Sequence, residues 1–197
     1  MYYYGGATAV GIKVNNGVVL GAERRFSYGG FIMSKAAKKV FLITDKIGMA
    51  AAGMIADMQA IAKSIKAEIK YYELTLEKKA LVKTVSKLIA NMLYSYKYMP
   101  LMSEVLVGGI DDEGPHLYVM DPVGSLIEDD YAAIGTGAPI AIGIIESSYR
   151  KDLTVREAKE IVIKSLKSAL SRDAMSGDGI DILVITEEGH HEEFIKT

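Results

Sequence analysis

Thr8-Ala9-Val10-Gly11-Ile12-Lys13-Val14 runs into Asn15-Asn16-Gly17 and then into Val18-Val19-Leu20-Gly21-Ala22. Two apolar-rich runs joined by Asn-Gly read as a β-hairpin, because Asn and Gly accept the positive φ that a tight turn between right-twisted strands needs. The chain therefore opens a sheet. Lys39 to Thr44, then Asp45-Lys46-Ile47-Gly48, then Met49 to Ala52 repeat the arrangement and end at Gly53. A second hairpin follows the first.

From Ile55 the period changes. Ile55, Met58, Ile61, Ile65, Ile69 and Tyr72 recur every three or four residues, and Leu81, Val85, Leu88 and Met92 do the same, as the buried stripes of two consecutive helices require. Strand patterns return at Ser103 to Ile110, His116 to Met120 and Ser125 to Glu128, separated by the turn formers 111–115 and Pro122-Val123-Gly124. A second sheet is expected there. Ala138 to Tyr149 reads as a short helix, and Thr154 opens a longer one, with Glu157 placed to complete a capping box and Gly177 to Gly179 ending it. Ile180 to Thr186 and Glu192 to Lys196 then close the chain as strands around Glu187-Glu188-Gly189. Strands, two helices, strands, two helices, strands is the order that two stacked antiparallel sheets covered by helices on both faces would give. The expected fold class is α+β, a four-layer αββα sandwich.

The 197 residues fit one domain, with residues 1–6 set apart as a short extension and 7–197 as the body. Half of the residues are hydrophobic and 24% are charged, which excludes a disordered chain. Twenty-three basic against 25 acidic side chains, with no run of five like charges, offers no grip for nucleic acid or anionic lipid. The longest uncharged stretch, Tyr131 to Ile145, is interrupted by Gly and Pro and too short to span a bilayer. Without a basic and apolar leader at the N-terminus, an intracellular, cytoplasmic protein is expected.

The absence of cysteine removes disulfides, thiolate metal sites and cysteine nucleophiles, so a nucleophile would have to be an oxygen or an amine. No P-loop, G-x-G-x-x-G, H-E-x-x-H or G-x-S-x-G occurs. His190-His191-Glu192-Glu193 is expected as a surface tail, since neighbouring strand residues point to opposite faces. Asp111-Asp112-Glu113 lacks calcium-loop spacing and is expected as a solvated turn, with His116 a packed residue. Neither a metal nor a cofactor is expected.

Other segments are informative only as a set: 6–11, Glu23-Arg24-Arg25, Lys38-Lys39, Ala51-Ala52-Gly53, Gly135-Thr136-Gly137 and 172–179. With Gly17-Val18-Val19-Leu20, Ser34-Lys35, Leu106-Val107-Gly108-Gly109, 127–132 and Ser176-Gly177-Asp178-Gly179, the chain resembles the β subunits of the archaeal proteasome core particle, from Ala7 to the last strands. The resemblance implies the αββα sandwich of N-terminal-nucleophile hydrolases, seven-membered β rings stacked between rings of α subunits, and hydrolysis of unfolded polypeptides inside a closed chamber. Active members cleave themselves after a Gly, and the freed Thr serves as nucleophile and base. A free α-amine titrates at about 7.7–8.0 and can take the hydroxyl proton, whereas an acylated nitrogen cannot. By resemblance Lys39 assists that hydroxyl, Gly53 supplies an oxyanion N–H, Asp173 and Ser176 orient the amine, and Ala51 and Ile55 line a small apolar pocket.

The chain departs from this pattern where the chemistry is done. Aligned on Val10-Gly11, the nucleophile position holds Ala7, which has no hydroxyl. Glu23 stands where the pattern has Asp, and Thr136 where it has Ser. Thr8 is the alternative nucleophile, but strand alternation turns it away from whatever residue 7 faces. The expectation is a non-catalytic β-type subunit, with an uncut extension, in a mixed ring beside a catalytic paralogue. Its rivals are an active threonine endopeptidase, through Thr8 or with Ala7 an engineered replacement of Thr, and an unrelated amidohydrolase or metabolite-binding sandwich. Glu23 and Thr136 weigh against engineering, since inactivation gives no reason to change them.

Overall fold

Three buried apolar clusters, stacked one behind another, define the layers of the molecule. A computed structural model describes residues 6–28 and 30–197. Strands β1 (Thr8–Val14), β2 (Gly17–Glu23), β3 (Phe26–Tyr28), β4 (Phe31–Ser34), β5 (Val40–Thr44) and β6 (Ile47–Gly53) precede helices α1 (Ile55–Leu76) and α2 (Val82–Ser95). Then come β7 (Ser103–Asp111), β8 (Gly114–Met120), β9 (Ile127–Glu128), β10 (Tyr131–Gly135), α3 (Ala138–Ser148), α4 (Val155–Leu170), β11 (Ile180–Thr186) and β12 (Gly189–Ile195). One five-stranded sheet has the order β10-β1-β2-β11-β12 and the other β5-β6-β7-β8-β9, and β3-β4 forms a separate hairpin. All pairings are antiparallel.

The first cluster joins Ile61, Ile65, Ile69, Val85 and Ile89 of α1 and α2 to Met49, Val105 and Val107 of the second sheet. Another lies between the sheets, with Ala7, Ala9, Val18, Leu20 and Leu183 from the first and Val40, Ala50, Leu106 and Leu117 from the second. The third packs Val10, Ile12 and Val19 against Ala158, Val162 and Leu166 of α4 and Ala141 and Ile145 of α3. The layers are therefore α1–α2, sheet, sheet, α3–α4. This is the expected αββα sandwich.

Several boundaries differ from the reading of the sequence, each for a physical reason. The hairpin β3–β4 and the strand β10 were not anticipated. β10 lies against β1, with Thr8 opposite Gly135 and Ile12 opposite Tyr131, so its partner is remote in the chain. The hairpin β5–β6 joins β7–β9 through the register Ile47↔Gly109 to Gly53↔Ser103, so the second sheet begins at residue 40 rather than 103. β8 starts at Gly114-Pro115, with Pro115 opposite Ile110 at its first positions, where a missing N–H is tolerated. α4 ends at Leu170, before the glycines expected to stop it, while its Thr154–Glu157 capping box forms as expected. No helix among the described residues is long and apolar enough to cross a membrane.

Candidate active site

Ala7 lies just ahead of β1 and is completely buried. Its carbonyl accepts a hydrogen bond from the Thr136 N–H at 2.8 Å, and the Thr136 hydroxyl oxygen lies 3.3 Å away. Because strand residues alternate, Ala7 and Ala9 join the layer between the sheets, whereas Val10 and Ile12 join the layer under α3 and α4. Thr8 follows the second set. A Cβ on Gly137 would meet its hydroxyl and the Ala169 methyl of α4.

The Thr8 hydroxyl is committed. Asp173 Oδ2 accepts from Ser176 Oγ at 2.6 Å and from Thr136 Oγ1 at 2.6 Å, and Thr8 Oγ1 lies 2.7 Å from Ser176 Oγ. Ser176 has one proton and gives it to the carboxylate, so Thr8 must be the donor in its own contact. The chain Thr8 to Ser176 to Asp173 therefore points the Thr8 proton at a hydroxyl already in use.

On the other side of β1, Glu23 at the end of β2 ion-pairs with Lys39, and neither side chain is exposed. Glu23 Oε2 accepts the N–H groups of Arg25 at 2.6 Å and Gly177 at 3.0 Å, while Lys39 Nζ also donates to the Arg25 carbonyl at 2.6 Å. Glu is thus long enough to reach the ammonium and two backbone donors at once. Burial pushes the Glu23 carboxyl up and the Lys39 ammonium down, and the attraction between them opposes both shifts. The charge of Asp173 also acts on Lys39, so the two halves of the constellation lie within electrostatic reach of each other.

Arg25 fixes the loop that carries Asp173 and Ser176. It donates to Asp178 Oδ2 at 2.8 Å and to the Ala174 carbonyl at 2.9 Å, and this pairing holds the Asp178 carboxyl below its ordinary value. At the end of β6, Gly53 has φ +130° and its Cα faces the Met102 carbonyl, where a Cβ would collide. That conformation is open to glycine alone. Ala51 is fully buried and packs, with the partly buried Ile55, in the cluster beneath α1 and α2.

Ala7, Thr8, Thr136, Asp173 and Ser176 are thus linked by hydrogen bonds, and Glu23 and Lys39 are tied to the same 173–178 loop through Gly177. One residue was missed: Glu104 of β7 reaches across the sandwich to accept the Gly135 N–H at 2.6 Å. A lone carboxylate in the apolar run Ser103 to Ile110 was the available signal. Of the segments set aside, His190, Glu192 and Glu193 go separately to the Asp45 carbonyl, Lys38 and Lys159. Asp111 corrects the expected solvated turn, because it ends β7 and its carboxylate accepts the Val82 N–H at the start of α2 at 2.7 Å. The expected extension, apart from the buried Gly6, lies outside the described residues.

The family described as proteasome subunit matches residues 3–185. The chain belongs to the proteasome subunit family. It is 59% identical over 189 residues to proteasome subunit beta 1 of Hyperthermus butylicus, covering 95% of this chain and 93% of that one. It is 57% identical over 180 residues to proteasome subunit beta 1 of Ignicoccus hospitalis, covering 91% and 90%. Proteasome subunit beta 2 of Pyrobaculum neutrophilum is 53% identical over 191 residues, covering 97% and 94%. The resemblance to archaeal β-type subunits thus extends over nearly the whole sequence.

Proposed function

We propose that this chain is a non-catalytic β-type subunit of a cytoplasmic proteasome core particle, in which it shapes a β ring shared with a catalytic paralogue. The reading is carried by Ala7, which by resemblance stands at the nucleophile position and whose methyl group lies wholly buried between the sheets. Without a hydroxyl there is no group to attack the Gly6–Ala7 bond and none to form an acyl-enzyme with a peptide. Residues 1–6 accordingly stay attached, and the residue 7 nitrogen remains an amide that cannot act as a base.

Thr8 does not replace the missing group, since bringing it into place of Ala7 would require a one-residue slip that reverses every side chain in β1. Glu23, Lys39, Asp173 and Ser176 then have structural work: they neutralise buried charge and fix the 173–178 loop. The partners of this reading are α subunits and other β subunits, with unfolded polypeptides reaching the chamber they enclose. Reconstitution with α subunits alone should give no peptide hydrolysis, and activity should appear when an active β subunit is added. Hydrolysis by this chain with α subunits alone would overturn the reading.

A further inference from the structure

His116 stands on β8 opposite Gly109 of β7, outside the Ala7 constellation. Its ring stacks on Tyr118, with centroids 6.1 Å apart and planes 18° from parallel. Nδ1 lies 2.6 Å from Glu128 Oε1. Nε2 lies 3.6 Å from Asp111 Oδ1 and is buried without a hydrogen-bond partner among the described residues.

Each carboxylate belongs to a different element. Glu128 ends β9, which pairs with β8 only through Tyr118↔Glu128 and Val119↔Ile127, followed by the Asp129 N–H on the Leu117 carbonyl at 3.0 Å. Asp111 accepts the Val82 N–H, the first of α2, on Oδ2 at 2.7 Å and the Glu113 N–H on Oδ1 at 2.9 Å. The ring therefore stands between a short edge strand and the cap of a helix.

A neutral imidazole carries one N–H. With that proton on Nδ1, Nε2 turns a buried lone pair toward Asp111; with it on Nε2, two acceptors face each other between Nδ1 and Glu128. Only the doubly protonated ring presents a donor to both carboxylates. Ionisable groups acting on the same cluster are Glu113 in the β7–β8 turn, Tyr118 on β8, which donates to Glu128, and Lys13 of β1, which is paired to Asp130 at 2.9 Å. α2 contributes the Val82 N–H.

We propose that His116 is a protonation-dependent bracket joining β9 to the N-terminus of α2, through Glu128 on one side and Asp111 on the other. Loss of the second ring proton leaves a single N–H to serve two carboxylates, so that at any instant one of the two contacts faces a bare nitrogen, and as the tautomers exchange both the helix cap and the edge strand loosen. This inference does not depend on the catalytic status of the chain.

Amide hydrogen exchange on the full chain tests it, with rates corrected for the intrinsic effect of pH and the His116 ring followed by its nitrogen resonances. As the ring deprotonates, protection of the Val82 and Asp129 amides should fall about threefold, the scale of a weakened close charge contact. In His116→Phe the fall should disappear. Glu128→Gln, which leaves the Asp111 contact in place, should keep the Val82 response and lose most of that at Asp129. Unchanged protection through the ring's titration, or a fall that persists in His116→Phe, would overturn the proposal. So would a Glu128→Gln chain that loses the Val82 response.

Discussion

Lys39 heads the bulkiest side chains with no solvent exposure, and its charge is met by Glu23 and the Arg25 carbonyl. Burial outweighs attraction in both groups, so the Glu23 carboxyl is raised and the Lys39 ammonium lowered. A raised carboxyl costs the folded chain stability once pH rises above the unfolded value near 4.5, and a lowered ammonium does so once pH falls below the unfolded value near 10.5. Both costs are present at neutral pH. Lys39→Met alone should destabilise by roughly 3–5 kcal/mol, because it strands a buried carboxylate. Glu23→Gln with Lys39→Met should recover most of that loss, since the amide oxygen can still accept from Arg25 and Gly177. Urea unfolding of the three chains checks it; a double variant no more stable than the single one would contradict this account. Gly53→Ala should cost at least the roughly 1–3 kcal/mol of a strained backbone, because its methyl group would also meet the Met102 carbonyl.

At the scale of elements, the Thr154–Glu157 capping box begins α4, whose Ala169 lies beside Thr8 together with Asp173 and Ser176 of the loop that follows it. The Glu157 carboxyl is lowered to about 2, first by hydrogen bonds from Thr154 and then by one from Arg150. A lowered carboxyl stabilises above its unfolded value and loses that contribution as pH falls toward its folded one. The window here runs from about 4.5 down to about 2. Glu157→Gln should therefore flatten the acid limb of thermal stability in that window, while Thr154→Ala, which keeps the residue 154 N–H that Glu157 accepts, should lower stability at neutral pH through the lost N-cap. An acid limb as steep as the parent's would contradict it. The same scale shows what the sequence could convey. The Asn-Gly hairpin, the helical stripes and the capping box were readable because each signal lies within a few residues. Phe26 to Ser34 gave no alternation to read, and β10 has a partner more than a hundred residues away in the chain.

In the whole molecule the candidate site gathers Ala7, Glu23, Lys39, Thr136, Asp173 and Ser176 from both ends and the middle of the sequence. No local spacing announces such a constellation, and it became visible in the sequence only through resemblance to a family. Glu104 stayed hidden because its use depends on two sheets facing each other. On the proposed reading the constellation lacks one atom, an oxygen on the residue that precedes β1. The intact mass of this chain, taken from an assembled particle treated with a threonine-reactive β-lactone, tests that statement most directly. The account predicts an unmodified chain that still carries its residues before Ala7. A mass raised by one lactone, or a chain shortened to begin at Ala7 or Thr8, would contradict it.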